Sequence, residues 1–157
     1  MSELDHTLLK SQFVALVGDE TDALANASNF VGMLFNAIDD INWLGIYVLR
    51  GEELVLGPFQ GKPACVRIPL GNGVCGTAAA TMTTQRIADV HAFPGHIVCD
   101  ADSRSELVVP LVVHDAVLGV LDIDSPSLDR FDAADQDGIE LLCEAFCKSL
   151  LGSETFI

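Results

Sequence analysis

Three of the five cysteines lie beside glycine turns, strand ends or loops, where a thiol can meet another reactive group. They are Cys65 in "ACVRIPL", Cys75 in "GVCGTAA" and Cys99 in "GHIVCDADS". Redox chemistry needs an accessible thiolate, which positive neighbours favour. Cys99 instead precedes Asp100 and Asp102, whose negative charges disfavour a thiolate. The residues alone leave redox work, ordinary buried thiols and metal ligation open for these three cysteines.

A zinc site is the metal alternative, because His91 and His96 stand near Cys99 in the sequence. Zinc sites usually contain Cys-x-x-Cys pairs or closely spaced histidines on one helix. Neither spacing occurs here. The sequence therefore disfavours a zinc-dependent hydrolase, and we expect neither a resident metal nor another cofactor.

Cys143 and Cys147 are different, because they lie four residues apart in the predicted last helix. They fall on one apolar stripe of that helix, together with Ile139, Leu142, Phe146 and Leu150. A free cysteine packs well as a small apolar side chain. We predict that both thiols belong to the core.

A predicted hairpin brings three carboxyl groups to one strand end. If residues 114–116 form its loop, Glu106 lies opposite Asp124 and Val108 lies opposite Asp122. All four side chains then share one face, because side chains alternate along a strand. A two-residue loop would shift the register and send Glu106 to the other face.

Such an acidic cluster has two interpretations. Most acidic clusters are solvated edges of a sheet, since charged side chains are rarely buried. The apolar context "VLGVLDIDS" instead suggests that these carboxyl groups are buried. Buried like charges share protons, so at least one pKa should be raised and that group can act as a general acid.

The segment "NWLGIYVL" places Trp43, Gly45 and Tyr47 on one face of a predicted strand. Two aromatic rings that flank a glycine leave space for a small ligand. The same pattern also suits two core aromatic residues packed over a glycine. The sequence leaves both interpretations open.

The hydrophobic pattern predicts an α+β fold, with helices packed on a central antiparallel sheet. Pro110 should mark an edge or an irregularity of its strand. The predicted helices are 4–17, 22–38, 73–82 and 132–151, and the predicted strands are 42–49, 53–59, 64–70, 86–90, 106–113 and 117–124.

Composition narrows the possible partners. The 157 residues suit a single domain, and the net charge of −15 would repel nucleic acid and anionic membranes. No apolar run approaches the ~20 residues of a membrane helix. The opening "MSELDHTLLK" lacks the pattern of a secretory signal, so we expect a cytoplasmic protein with reduced thiols.

Four stretches of the sequence carry a family resemblance. They are "NWLGIYVL", "LVLGPFQGKPACVRIPLGNGVCGTAA", "QRIADVHAFPGHIVCDADSRSELVVPL" and "GVLDIDS". Together with the cysteine spacing 65–75–99, they resemble the free methionine-(R)-sulfoxide reductases, enzymes built on a GAF domain. The resemblance runs from about residue 10 to residue 147.

The resemblance implies one GAF domain over residues 1–157, with its core at about 10–150, in a cytosolic homodimer. It implies reduction of free methionine R-sulfoxide to methionine, with thioredoxin as the reductant, in the repair of oxidative damage. Cys99 would be the nucleophile that becomes a sulfenic acid. Cys65 would be the main resolving thiol, and Cys75 an additional or alternative one.

The resemblance also implies the substrate contacts. Trp43 would face the methyl group of the substrate, with Tyr47 nearby. Glu106, Asp122 and Asp124 would hold the ammonium group and the sulfoxide oxygen, and a protonated carboxyl of Glu106 or Asp124 would give the oxygen its proton.

A non-catalytic GAF sensor that binds a nucleotide or another small molecule is the competing class. The asparagine-lysine-phenylalanine-aspartate-glutamate signature of cyclic-nucleotide GAF domains is absent from the sequence. We also expect no second effector domain for a sensor to control.

Overall fold

The computed structural model describes residues 3–152 and residue 156. The outermost predicted domain positions, 1–2, 153–155 and 157, lie outside these described residues. Within the described part the α-helices are α1 (His6–Val17), α2 (Ala23–Ala37), α3 (Gly73–Thr81) and α4 (Ala133–Ser149), and a short 3₁₀ helix spans Val90–Ala92. The strands are β1 (Trp43–Arg50), β2 (Glu53–Gln60), β3 (Arg67–Pro69), β4 (Gln85–Ile87), β5 (Ser105–Val113) and β6 (Ala116–Ser125).

The predicted α+β class is confirmed, since every predicted helix and strand is present. The six strands form one antiparallel sheet in the order β3-β2-β1-β6-β5-β4. β3 and β4 are each only three residues long and therefore shorter than predicted. Among residues 3–152 and 156, none of the helices has the length and hydropathy of a membrane span.

The two faces of the sheet carry separate cores, because side chains alternate along each strand. Helices α1, α2 and α4 cover one face, where the rings of Phe13, Phe30 and Phe146 pack together. Cys143 and Cys147 are buried in this layer, as predicted. Helix α3 packs on the other face, with a smaller apolar cluster around it.

Three of the four described α-helices begin with an aspartate that caps the first turn. Asp5, Asp22 and Asp132 each accept a hydrogen bond from a backbone N–H three residues later, which is the usual role of an N-cap side chain. Asn72 stands at the same position of α3 but makes no such bond. The N-terminus of α3 therefore keeps its free N–H donors.

The β5–β6 hairpin has the predicted register at its functional end. Glu106 pairs with Asp124 and Val108 pairs with Asp122. The predicted three-residue loop is wrong, because only His114 and Asp115 connect the strands. Both have a positive φ, 51° and 62°, as the compact two-residue hairpin turn requires.

A β-bulge reconciles this short turn with the register. The pairing shifts by one residue between Leu111 and Val112. Glu106 and Asp124 therefore lie on the face that the predicted three-residue loop would have given them. Pro110 lies just before the bulge and past the end of β4, where β5 is an edge of the sheet. Both predicted reasons for this proline are therefore present.

Gly119 allows β1 and β6 to approach closely at the centre of the sheet. A Cβ atom at this position would collide with the backbone carbonyl oxygen of Tyr47, which belongs to the β1–β6 pairing. Backbone atoms in a paired strand cannot move aside without breaking hydrogen bonds. The strands that carry Tyr47 and the acidic cluster thus depend on a glycine here.

We expect Gly119→Ala to lower the free energy of unfolding by about 1–3 kcal/mol, because the added methyl group overpacks the sheet. Gly32→Ala is the matched control, since Gly32 lies inside α2 and a Cβ atom there meets no atom within 4 Å. That variant should gain about 0.5–1 kcal/mol from helix propensity. Urea unfolding measures both, and equal effects would contradict the close approach.

Candidate functional site

A small, partly open cavity lies on the α3 side of the sheet. It is bounded by the first turn of α3, by the acidic ends of β5 and β6, and by the loop that follows β4. Six of the predicted site residues line it: Tyr47, Cys75, Cys99, Glu106, Asp122 and Asp124. Trp43 lines a smaller adjoining space with four of the same residues.

Cys65 and Cys99 form a disulfide at this cavity. Their Cα atoms are 5.4 Å apart, although 34 positions separate them in the sequence. Because its sulfur is bonded to Cys65, Cys99 is not available as a zinc ligand in this state. The structure therefore favours redox chemistry for this pair over the zinc alternative with His91 and His96.

Cys75 is a buried thiol in the first turn of α3. Its Sγ lies 3.8 Å from Oε1 of Glu106. Burial raises the pKa of the Cys75 thiol well above its ordinary value, and the charges of Asp122 and Glu106 raise it further. The thiol is therefore protonated at neutral pH and faces the acids as a donor.

The three carboxyl groups are buried, so the solvated-edge interpretation is wrong. Glu106 and Asp122 are each 6% exposed and Asp124 is 9% exposed. Burial, and next the charge of Asp124, raises the pKa of Glu106 to about 8. Burial and neighbouring carboxylates raise the pKa values of Asp122 and Asp124 well above their ordinary range. The cluster holds protons at neutral pH.

One oxygen of this cluster has no hydrogen-bond partner. Oδ1 of Asp122 is buried and receives no hydrogen bond from the protein. An unpaired buried acceptor costs about 1–3 kcal/mol. Asp122 lines the cavity, so a ligand with a strong donor that reached this oxygen, such as an ammonium group, would satisfy it.

The same corner also holds a possible set of metal ligands. Single ligand atoms of Cys75, Glu106 and Asp122 all lie within 4.8 Å of one another. A metal would require these groups to lose the protons that their raised pKa values retain. The donor set therefore fits hydrogen bonding within the cluster better than it fits a resident metal.

Trp43 and Tyr47 are core residues that also border the cavities, and their contact with a ligand stays a prediction. The ring of Trp43 stacks between Tyr47 and Phe59, with centroids 5.9 and 5.5 Å away. It covers Gly45, where a Cβ atom would lie 2.5 Å from Cη2 of Trp43. Trp43 and Tyr47 also border the cavities. A rigid aromatic wall thus adjoins the disulfide.

Hydrogen bonds fix this wall to the segment that carries Cys65. Nε1 of Trp43 donates to the carbonyl oxygen of Lys62 at 3.0 Å, and the hydroxyl of Tyr47 donates to the carbonyl oxygen of Cys65 at 2.8 Å. The polar atom of each buried aromatic side chain therefore has a hydrogen-bond partner.

The sequence reasoning missed the residues that hold the Cys99 loop in place. Nδ2 of Asn42 donates to Asp100 at 3.0 Å and to Ser103 at 3.1 Å. Lys62 forms an ion pair with Asp102 at 2.7 Å between exposed side chains, a contact that gives Asp102 a role not predicted for it. These partners lie about 40 to 60 positions apart, so no local pattern could have revealed them.

The sequence reasoning also missed Asn72 and Gly73 at the cavity, and it considered His96 only as a zinc ligand. Asn72 and Gly73 border the cavity from the start of α3, and His96 borders it from the loop. Burial, and next the proximity of His91, lowers the pKa of His96. The imidazole of His96 is therefore neutral, and not a cation, at neutral pH.

The raised pKa of Glu106 makes stability depend on pH. The unfolded chain ionises this group above about 4.5, whereas the folded chain keeps the proton up to about 8. The stabilisation from this proton is complete below the unfolded pKa of about 4.5. It is lost as pH rises through the folded pKa of about 8. Each bound proton accounts for a loss of about 1.4 kcal/mol per pH unit.

We expect the free energy of unfolding to fall between pH 5 and pH 8, and Glu106→Gln to reduce that slope. Glu52→Gln, at an exposed turn position, removes the same charge and should leave the slope unchanged. Urea unfolding at several pH values, with the disulfide kept intact, provides the measurement. A slope unaffected by Glu106→Gln would contradict proton retention at this site.

The chain is similar in sequence to a known domain family and to proteins of that family. The sequence profile of the GAF domain matches residues 6–150. A free methionine-R-sulfoxide reductase of Escherichia coli is 54% identical over 134 residues, which are 85% of this chain and 81% of that protein.

Two solved structures are similar over nearly the whole chain. The fRMsr of Staphylococcus aureus in complex with substrate has a TM-score of 0.90 at 49% identity and covers 96% of this chain and 98% of its own. The free methionine-R-sulfoxide reductase of Neisseria meningitidis in complex with its substrate has a TM-score of 0.91 at 40% identity and covers 97% of this chain and 94% of its own.

Proposed function

This chain belongs to the GAF-domain family and, within it, to the free methionine-R-sulfoxide reductases, and we propose from that premise how its residues carry out the reaction. The enzyme is an oxidoreductase that reduces free methionine-R-sulfoxide to methionine. The Cys65–Cys99 disulfide beside the buried carboxyl groups is the observation that carries the mechanism. A non-catalytic sensor would need no disulfide at its pocket.

The reaction begins with reduced Cys99. Its thiolate attacks the sulfur of the sulfoxide, and the carboxyl cluster supplies a proton to the sulfoxide oxygen. The oxygen then passes from the substrate sulfur to Cys99, and both the sulfur–oxygen bond of the substrate and the new bond between the two sulfur atoms break. The products are methionine and a Cys99 sulfenic acid, so the substrate sulfur is reduced by two electrons and Cys99 is oxidised by two.

The second half of the reaction closes the disulfide. The Cys65 thiol attacks the sulfenic sulfur of Cys99, and the oxygen leaves as water. The backbone geometry of the Cys65–Cys99 pair supports Cys65 as the main resolving thiol. Cys75 remains a secondary candidate, because a buried, protonated thiol is a poor nucleophile.

The acids account for the choice of a free amino acid. The orphaned Oδ1 of Asp122 would accept a hydrogen bond from the substrate ammonium group. Glu106 and Asp124 face each other across β5 and β6 and are placed to share the proton for the sulfoxide oxygen. Trp43 and Tyr47 would enclose the methyl end of the substrate. A peptide-bound sulfoxide lacks the ammonium group that Asp122 would bind.

The catalytic cycle needs an external dithiol. A thioredoxin would attack the Cys65–Cys99 disulfide, form a mixed disulfide and leave both cysteines reduced. We also propose a homodimer in the cytoplasm that repairs oxidised free methionine, as the family resemblance implies.

The first experiment compares the two sulfoxide epimers. Wild-type protein with dithiothreitol should convert the R epimer of free methionine sulfoxide and leave the S epimer unchanged, with methionine measured chromatographically. Cys99→Ser should abolish turnover. Cys65→Ser should release about one methionine per site and then turn over poorly with thioredoxin, because the sulfenic acid lacks its partner.

Two further variants act as controls. Cys75→Ser should retain repeated turnover with thioredoxin, and Cys143→Ala should affect stability more than activity, since it lies across the sheet from the cavity. Undiminished activity in Cys99→Ser would refute the mechanism. Loss of repeated turnover in Cys75→Ser alone would instead make Cys75 the resolving thiol.

The proton requirement yields a second experiment. The rate of the first methionine release should follow a bell-shaped pH curve, because Cys99 must be a thiolate while the cluster keeps its proton. The rate should fall above about pH 8, where Glu106 ionises. Rapid-quench single turnovers from pH 5 to pH 9 measure the curve.

The amide variant tests which group matters. Glu106→Gln keeps a hydrogen-bond donor but cannot release a proton, so it should bind substrate better than it reduces it. Glu52→Gln again serves as the exposed control and should reproduce the wild-type curve. An unchanged rate in Glu106→Gln would mean that the sulfoxide oxygen takes its proton from elsewhere.

A further inference from the structure

The proposed chemistry needs two groups at a fixed separation. Cys99 must attack the sulfur of the substrate while the carboxyl cluster on β5 and β6 protonates the oxygen. Cys99 belongs to the loop between β4 and β5, whereas the cluster belongs to the sheet. In the oxidised enzyme the disulfide to Cys65 holds this loop. The reaction with substrate begins after that disulfide has been reduced, so another contact must then hold the thiol in place.

Asn42 makes such a contact from the position just before β1. Its backbone N–H donates to the carbonyl oxygen of Asp124 at 2.9 Å, which fixes it on the acidic end of β6. Its side-chain Nδ2 donates to Oδ2 of Asp100 at 3.0 Å and to Oγ of Ser103 at 3.1 Å. Asp100 directly follows Cys99 in the chain. One asparagine therefore joins the strand end that carries the acids to the loop that carries the nucleophile.

The loop is arranged to receive these bonds. The N–H of Asp102 donates to Oδ1 of Asp100 at 2.9 Å, and the N–H of Ser103 donates to the backbone carbonyl oxygen of Asp100 at 3.2 Å. Asp100 thus uses one carboxylate oxygen inside the loop and the other for Asn42. Ser103 is buried, which protects its contact from water. The contacts of Asn42 are therefore better shielded than the exposed Lys62–Asp102 pair, which water and salt screen.

The orientation of the Asn42 amide shows which of its atoms the site uses. A carboxylate only accepts hydrogen bonds, so the amide nitrogen and not the oxygen must face Asp100. Oδ1 of Asn42 is then buried and has no hydrogen-bond partner among the described residues. A buried acceptor without a partner is unfavourable, because nothing replaces its lost water. The position keeps this oxygen while Nδ2 serves two acceptors, so the donors are what the position supplies.

We propose that Asn42 is a positioning residue, whose amide holds the reduced Cys99 loop at a fixed distance from the carboxyl cluster. The assignment rests on the proposed function and adds the contact that keeps the nucleophile beside the proton donors once the disulfide is open. Asn42 is not among the described residues that line the cavities, so it acts through Asp100 and Ser103 and not on the substrate. Loss of its donors should therefore slow the chemical step and leave substrate binding nearly unchanged.

Asn42→Asp tests this role, because it sets a carboxylate against Asp100 in place of the amide donors. Reduced enzyme, freed of reductant, is mixed with free methionine-R-sulfoxide, and rapid quench follows the release of the first methionine. The rate at saturating substrate should fall by about tenfold or more, since a small displacement of a reacting group is costly. The half-saturating concentration should stay within about twofold of wild type, because ground-state binding is intact.

The reversed pair provides the rescue. Combining Asn42→Asp with Asp100→Asn exchanges donor and acceptor between the two positions. The amide at position 100 then donates to the carboxylate at position 42, and its oxygen still accepts from the N–H of Asp102. The hydroxyl of Ser103 turns to donate to the same carboxylate. The double variant should recover most of the lost rate, whereas two independent structural defects would add.

Asn36→Asp makes the same chemical change on the exposed side of α2 and should behave as wild type. Thermal unfolding identifies a poorly folded variant, and Asn42→Ala, which removes the donors without adding a charge, then replaces Asn42→Asp. An unchanged saturated rate, a loss confined to the half-saturating concentration, or a double variant no faster than Asn42→Asp would overturn the positioning role and leave the reductase activity in place. A wild-type protein that releases no methionine would overturn the proposed function, and the positioning role with it.

Discussion

The burial of three carboxyl groups at one end of β5 and β6 is the constraint on which the site depends. Ionised carboxylates cannot be buried side by side without a large electrostatic cost, so Glu106, Asp122 and Asp124 retain protons well above their ordinary pKa values. Neighbouring strands hold these groups in a fixed register, which keeps them together. The sheet therefore keeps protonated carboxyl groups together at a cavity of an acidic protein.

This constraint separates the thiols into two kinds. Cys75 lies against the acids, where burial and negative charge keep it protonated. Cys99 lines the cavity and forms the disulfide with Cys65. Cys99 lines the same cavity as the three acids, so a substrate bound there would meet the attacking sulfur and the proton donors together.

The loop that carries Cys99 is held from two sides. Asn42 binds it through Asp100 and Ser103, and Lys62 binds it through Asp102. The exposed Lys62–Asp102 pair contributes little stability by itself, since water and salt screen it. The pair instead helps to position the two cysteines, because Lys62 precedes Cys65 by three residues and Asp102 follows Cys99 by three. Polar contacts and the disulfide thus join the same two segments.

Local patterns in the sequence determined the elements and much of the acidic cluster. Alternation along two strands, together with an assumed three-residue loop, placed Glu106 opposite Asp124, and helical spacing placed Cys143 and Cys147 in the core. The predicted hairpin loop was wrong, yet the register was right, because the bulge at Leu111 and Val112 compensates for the shorter turn. Period-two patterns report the face of a residue but not the irregularities between residues.

Only the tertiary structure decided which groups meet. The partners Cys65 and Cys99 lie 34 positions apart, and the contacts of Asn42 span about 60 positions, so neither follows from any repeat in the sequence. The burial of the acids likewise depends on α3 and the Cys99 loop closing over the sheet. The free N–H groups at the start of α3 could not be predicted for the same reason. Backbone donors are not specific to a residue type, and they matter only where folding leaves them beside a cavity.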